Sequence, residues 1–254
     1  MNIQEIIDKP KKQGVSLISC CMDRNENLYH SLNTWDKIHN LDEIIIVDWS
    51  SKKSVYEHIL KRKDLNKIPK IILAKYQKNW VLSRAFNLGI SFASFDKILK
   101  IDADVCVSEN FLKIYKLNEN FFHGSWKLSR EPNEDHLHGQ LFCKTKDFWD
   151  VNGYHEDLTE YGYDDDDLYI RLKENGIKEE YINPNHIFHL VTSHKDRVKN
   201  QPYFNGVNIE LKHLQLAQKK NKNYCNKFPW TPEKTRLNWN IKKVNDFFYE
   251  CEIC

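Results

Sequence analysis

The sequence lacks any run approaching the roughly 20 apolar residues of a membrane-spanning helix. Residues 1–14 are too polar to read as a signal peptide. The expectation is a soluble, intracellular protein. No surplus of one charge is present either. With 38 Lys+Arg against 36 Asp+Glu the net charge is +2, so nothing global points to nucleic acid or to a polybasic membrane surface. Internal repeats are absent, and there is no low-complexity segment beyond a scattered Lys/Asn bias. Cysteine is sparse and odd in number, at seven. Cys20, Cys21, Cys106 and Cys143 sit in apolar settings, as small core residues of a reduced protein do. Cys251-Glu252-Ile253-Cys254 has the spacing of half a zinc site, but only Cys225 remains nearby and no second pair completes it.

What is present is enough chain, 254 residues, for one large domain with a sizeable core. Residues 15–21 form a short apolar run, followed by Leu28, Leu32, Trp35 and Ile38 at helical spacing. Further strands are expected over 43–47, 70–73 and 98–101, with helices over 54–60 and 80–93 between them. Strands alternating with helices predict an α/β fold with a parallel central sheet and right-handed crossovers. Residues 1–107 therefore read as a nucleotide-binding half. Beyond Asp104 the texture changes. A helix over 109–117 with Ser108 as N-cap is expected, then strands near 121–126 and 137–144. Helices over 145–151 and 164–174 are closed by Gly153 and Gly176, and a late helix spans 205–219. The Trp- and Pro-rich tail from Phe228 has no clear assignment.

Two acidic stretches carry the chemistry. The strand ending at Ile101 runs into Asp102-Ala103-Asp104. Ligands of open α/β sheets gather at the carboxyl ends of strands, and two carboxylates on a tight turn can share a hard divalent cation. Asp is also common at turns, so these two acids can simply end a strand. The second stretch is Tyr161-Gly162-Tyr163-Asp164-Asp165-Asp166-Asp167-Leu168. A helix N-terminus favours carboxylates, but four in a row repel one another, which suggests a further task for at least one. Leu168 and Leu172 mark the buried face. Asp165 precedes them by three and seven residues and points inward, whereas Asp167 is spaced to pair with Arg171. An inward carboxylate at a cleft edge can act as a general base; N-capping within a solvated charge run is the alternative. Arg84, Asn87 and Gly89 open the helix before the central strand, where Arg84 can meet phosphate in a fork or lie on the surface. His186, His189 and His194 cluster after a strand and offer imidazole ligands.

Together these residues resemble inverting glycosyltransferases of the GT-A fold, with a family-2-like N-terminal half and a C-terminal half like β-1,4-galactosyltransferases. The resemblance covers residues 15–202. It rests on Val15-Ser-Leu-Ile-Ser-Cys-Cys, Ile46-Val47-Asp48, Arg84-Ala-Phe-Asn87-Leu-Gly89 and Ile101-Asp102-Ala103-Asp104 in order. The second half adds Asn152-Gly153-Tyr154, the run from Tyr161 to Leu172, and His194 ahead of Lys199-Asn200-Gln201-Pro202. The resemblance implies one GT-A domain over 1–254, with a Rossmann-like, mostly parallel sheet and a smaller mixed acceptor-binding region over 108–254.

It further implies that Asp104 and His194 bind Mn2+ or Mg2+, and that Asp48, Arg84 and Asp102 contact the nucleotide. Tyr161, Gly162, Asp164 and Asp165 would hold the acceptor, with Asp165 as the base. Tyr161 stands for the usual Trp, Asp164 for the usual Glu, and Val191 where many members supply a sulfur ligand. The membrane anchor and lumenal disulfides of animal relatives are missing, so a cytoplasmic enzyme of bacterial style or from a virus is expected. The implied activity is transfer of galactose, N-acetylgalactosamine or glucose from a UDP-sugar to a glycan or glycosylated acceptor, without nucleic acid as partner. The segment 191–205, containing His194, would close over bound donor. An inactive carbohydrate-binding protein of the same fold, or a metal-dependent phosphoesterase, is the competing expectation.

Overall fold

A computed structural model describes residues 3–191, 211–234 and 236–254. His194 and the segment around it lie outside the described residues.

The apolar runs form the centre of a nine-stranded sheet. Strands β1 (Lys12–Cys21), β2 (Glu43–Asp48), β3 (Lys70–Ala74) and β4 (Phe95–Lys100) run parallel, in the spatial order β3-β2-β1-β4. Glu43-Ile-Ile-Ile-Val-Asp48 is buried on both faces because helices cover both sides of the sheet, so no polar alternation is needed. Ile18, Ile45, Val47 and Ile98 point to one core. Their neighbours Leu17, Ile44, Ile46 and Leu99 point to the other. Helix α2 (Asn25–Trp35) packs Leu28, Leu32 and Trp35 on the second core. Helix α4 (Leu82–Ser91; α3 spans Val55–Ile59 and α1 Ile3–Ile7) packs Ala85, Phe86 and Leu88 on the first. Gly89 permits this approach: a Cβ there would lie 2.8 Å from methyls of both Ile18 and Val47.

The second half extends the same sheet. Strands β5 (Val105–Val107) and β6 (Asn120–His123) precede β7 (Leu141–Lys144), which pairs antiparallel with β4; β6 and β8 (Lys178–Tyr181) follow outward. Helix α7 (Asp164–Glu174) lays Leu168, Tyr169 and Leu172 on the first core, and Gly176 ends it in a left-handed conformation (φ 84°). Helix α6 is Thr145–Asp150. Outside the sheet, β5 pairs antiparallel with β9 (Ile187–His189).

Three expectations change. The helix over 109–117 is only α5, Phe111–Ile114, preceded by Asn110 at its N-cap; Tyr115 is already extended (φ −90°, ψ 119°). The late helix is Leu211–Lys227 among the described residues and reaches beyond 219. The tail is ordered into β10 (Trp239–Lys243) and β11 (Phe248–Ile253), and β11 pairs parallel with β3 at the sheet edge. Cys251 is buried in that strand and Cys254 is exposed; all seven cysteines are free thiols.

Candidate active site

A pocket of about 340 Å³ opens at the carboxyl ends of β1 and β4 and is closed on its far side by the start of α7. Its lining includes Asp102, Asp104, Tyr161, Gly162, Asp164 and Asp165. The two acidic stretches, some sixty positions apart in the chain, thus share one cavity.

Asp104 is buried at the turn leaving β4. Its Oδ2 accepts a 2.7 Å hydrogen bond from Arg24 Nη1 and lies 3.4 Å from His189 Nε2. The β5–β9 pairing produces this, since Val105 is registered against His189 and the Leu190 amide donates to the Asp104 carbonyl. His189 Nδ1 is 2.8 Å from Asn133 Oδ1, which fixes the ring. His186 is turned away, its Nδ1 2.8 Å from the Tyr115 hydroxyl. The donor set at Asp104 fits a hard divalent ion, a carboxylate oxygen beside an imidazole nitrogen. Among the described residues no three His, Cys, Asp or Glu side chains assemble into a full ligand set.

Asp102 is held from two sides. Gln140, fully buried just before β7, accepts from the Asp102 amide and donates to its Oδ2, both at 2.8 Å. Lys100 Nζ stands 3.0 Å from its Oδ1. Asp102 lies two residues past Lys100, the last residue of β4, and its carboxylate turns back to the Lys100 ammonium.

Each of the four acids of α7 has its own surroundings. Asp167 forms the expected pair with Arg171, whose Nη1 also donates to the carbonyls of Val151 and Gly153. Asp166 Oδ1 lies 3.0 Å from His138 Nε2; burial opposes a charge on that imidazole, but the carboxylate outweighs burial and raises its pKa. Asp165 accepts from the Tyr154 hydroxyl at 2.8 Å and sits 3.5 Å from Lys100 Nζ. Burial raises the pKa of its carboxyl, while Lys100 opposes that rise. Asp164 is buried beside it and is pushed well above the usual carboxylate range, by burial first and by Asp165 second. The helix starts abruptly because Gly162 (φ 80°) and Tyr163 (φ 72°) are both left-handed.

Two expected nucleotide contacts are engaged elsewhere, and neither lines the pocket. Asp48 caps the following turn, accepting from the Ser51 and Val55 amides at 2.8 and 3.1 Å. Arg84 donates Nε to the Glu156 carbonyl at 3.0 Å. Its motif is instead a latch between the halves: Asn87 donates to the Tyr154 carbonyl and the Glu156 carboxylate and accepts from the Tyr154 amide. The guanidinium that reaches the pocket is Arg24. Its position just after β1, at the carboxyl edge of the sheet, was available as a signal. His138 and Gln140 carry no comparable mark, because local patterns do not reveal which loops meet; Tyr154 stands in the Asn152-Gly153-Tyr154 motif, but the partner of its hydroxyl is not legible there.

Comparison with known proteins shows what the chain is similar to. Residues 16–120 match the family model described as "Glycosyl transferase family 2", and residues 128–195 match that described as "N-terminal domain of galactosyltransferase". The catalytic domain of Drosophila β1,4-galactosyltransferase 7, in complex with xylobiose, superposes with a TM-score of 0.53 at 16% identity, covering 95% of this chain and 93% of that one. TarS of S. aureus in complex with UDP-GlcNAc gives a TM-score of 0.56 at 12% identity, covering 85% and 73%. The fold is that of GT-A glycosyltransferases. The chain is family-2-like in its first half and galactosyltransferase-like in its second. Among curated proteins, poly-β-1,6-N-acetyl-D-glucosamine synthase of Staphylococcus aureus (strain COL) is 29% identical over 124 residues, which are 48% of this chain and 29% of the relative. The chain therefore spans less than a third of the curated relatives it matches.

Proposed function

We propose that the protein is a metal-dependent, inverting glycosyltransferase that moves a hexose from a UDP-sugar to a glycan or glycosylated acceptor. The observation that carries this is the shared pocket, where the Asp104–His189 pair faces the inward carboxylate of Asp165. Support comes from similar structures: the Drosophila enzyme in complex with manganese, UDP-Gal and xylobiose, and a mannosyltransferase from Pyrobaculum calidifontis in complex with GDP-Man and Mn2+.

Asp104, with His189 and with His194 from outside the described residues, would hold manganese or magnesium. An ion held there would supply positive charge against the leaving diphosphate. Arg24, in place of Arg84, supplies a guanidinium to the same phosphates. Asp102, held by Gln140 and Lys100, faces the donor side. Asp165 accepts the proton of the acceptor hydroxyl as its oxygen bonds to the anomeric carbon. The bond to the diphosphate breaks on the opposite face, and the configuration inverts. Asp164, kept protonated by burial, can donate a hydrogen bond to the acceptor while Asp165 receives its proton. Tyr161 and Gly162 form the adjoining acceptor wall.

A panel of UDP-sugars with added manganese, read by UDP release, tests the class and identifies the sugar. Asp165→Asn should leave donor binding intact and lower transfer by about 10²–10⁴-fold. Near-normal turnover in that variant would sink the base assignment.

A further inference from the structure

Lys100 is fully buried on β4 and has no solvent to share its charge with. Its ammonium has three donors, and three acceptors surround it: the Gly139 carbonyl at 2.6 Å, Asp102 Oδ1 at 3.0 Å and Asp165 Oδ1 at 3.5 Å. The Phe86 ring lies beneath, with its centroid 4.4 Å from Nζ, the distance of a cation–π contact. A buried ammonium is costly unless paired and hydrogen-bonded. A packed methionine would fill the volume without that cost, so a purely structural role does not account for the charge.

Gly139 points the same way. A Cβ there would stand 2.9 Å from Asp165 Oδ2, 3.2 Å from Lys100 Nζ and 3.4 Å from Asp102 Oδ2. Glycine at this position keeps the space between the three charged groups clear.

We propose that Lys100 is a positioning residue, whose buried ammonium holds the Asp165 carboxylate as an ionised proton acceptor and ties it to Asp102 on the donor side. This rests on the reading of Asp165 as the base. The ammonium is fully buried and does not line the pocket; it acts through the two carboxylates. The other groups facing Asp165 cannot replace it. Asp164 comes from α7 itself and Asp102 from just past the end of β4, both acids; Tyr154 donates a neutral hydrogen bond, and the Tyr169 phenol is neutral. His138 already pairs with Asp166. Without Lys100, several carboxylates would share a buried neighbourhood with little positive charge. Asp165 would then retain its proton to higher pH. A base works only once ionised, so the acidic limb of the pH–rate profile moves upward.

The pH profile of kcat/KM tests this in Lys100→Met, which nearly keeps the side-chain volume and removes the charge. The limb should rise by at least about one pH unit, giving about a tenfold loss at pH values below the wild-type limb that is recovered above the shifted limb. Gly139→Ala, whose methyl crowds Asp165 and Lys100 and must displace them slightly while removing neither charge, should shift the limb in the same direction by less. It serves alone if Lys100→Met fails to fold. A loss of activity equal at every pH, with the limb unmoved in the folded variants, overturns the proposal. Asp165→Asn keeps the two ideas separate. If it turns over near normally, the base reading falls and the role of Lys100 with it. If it is inactive while the Lys100→Met profile matches wild type, only the Lys100 role falls.

Discussion

Asp104 serves several partners with one carboxylate. Its Oδ2 accepts from Arg24 and lies against His189, and the proposed function adds a divalent cation at the same place. A cation held by that oxygen would compete with Arg24 for it, and Arg24 would then be available to a phosphate in the same pocket. Asp104→Ala should therefore do more than remove a ligand. The manganese concentration giving half-maximal activity should rise by at least about tenfold, by analogy with the 10–100-fold losses produced even by residues that only support a ligand. Chelation should abolish wild-type activity, with manganese restoring it. An unchanged manganese titration in Asp104→Ala would remove this residue from the metal site. At this scale the sequence is uneven in what it discloses. Asp102, Asp104, Asp164 and Asp165 are legible because acids at a strand end and a helix start follow from backbone geometry. Lys100 is not, since a lysine on a strand reads as an edge residue until the topology buries it at the centre of the sheet.

At the scale of elements, the start of α7 explains how four adjacent acids are tolerated. Successive residues on a helix turn by about 100°, so each carboxylate faces a different neighbour: Asp165 meets Lys100 and Tyr154, Asp166 meets His138 and Asp167 meets Arg171. At Asp164 burial first and Asp165 second push the carboxyl up to about 8, which favours its neutral form. The Asp167–Arg171 pair is nearly buried and also secures the carbonyls of Val151 and Gly153. Arg171→Ala should cost about 3–5 kcal/mol, because it leaves a buried carboxylate and two carbonyls unpaired. Arg171→Met with Asp167→Leu should recover much of that loss, since both charges go together. Denaturant midpoints measure both; a loss under about 1 kcal/mol in Arg171→Ala would show the pair to be superficial. Helical spacing makes this ion pair readable from sequence. The latch of Asn87 onto Tyr154 is not, because a hydrogen bond across some seventy residues leaves no periodic trace. The short α5 has a similar origin: Ser108 as N-cap suggested a helix over 109–117, but tertiary pairing takes the chain after Tyr115 toward β6.

Over the whole molecule, the two halves share both cores. One core joins Ile18, Val47 and Phe86 to Phe148, Tyr154 and Leu168, and closes with Trp239 and Cys251 from the tail. The other joins Leu17 and Leu99 to Phe111, Phe142 and Ile187. The boundary near residue 107, clear in sequence texture, thus divides roles without dividing the packing. The tail could not be placed in advance because β11 finds its partner β3 from a distant part of the chain, and alternation alone names no partner. Its anchor is Trp239, 2% exposed and set edge-on to Trp49 at 5.8 Å between ring centroids. We infer that the chain unfolds as one cooperative unit, since neither half retains a complete core when the other leaves. Tryptophan fluorescence and far-UV circular dichroism should then report coincident denaturant transitions. Trp239→Ala should move both together by about 3–5 kcal/mol, the cost of a large cavity, while leaving the donor KM unchanged because the residue does not line the pocket. Separated transitions, or a loss confined to one signal, would mean that the tail and second half fold apart from the first.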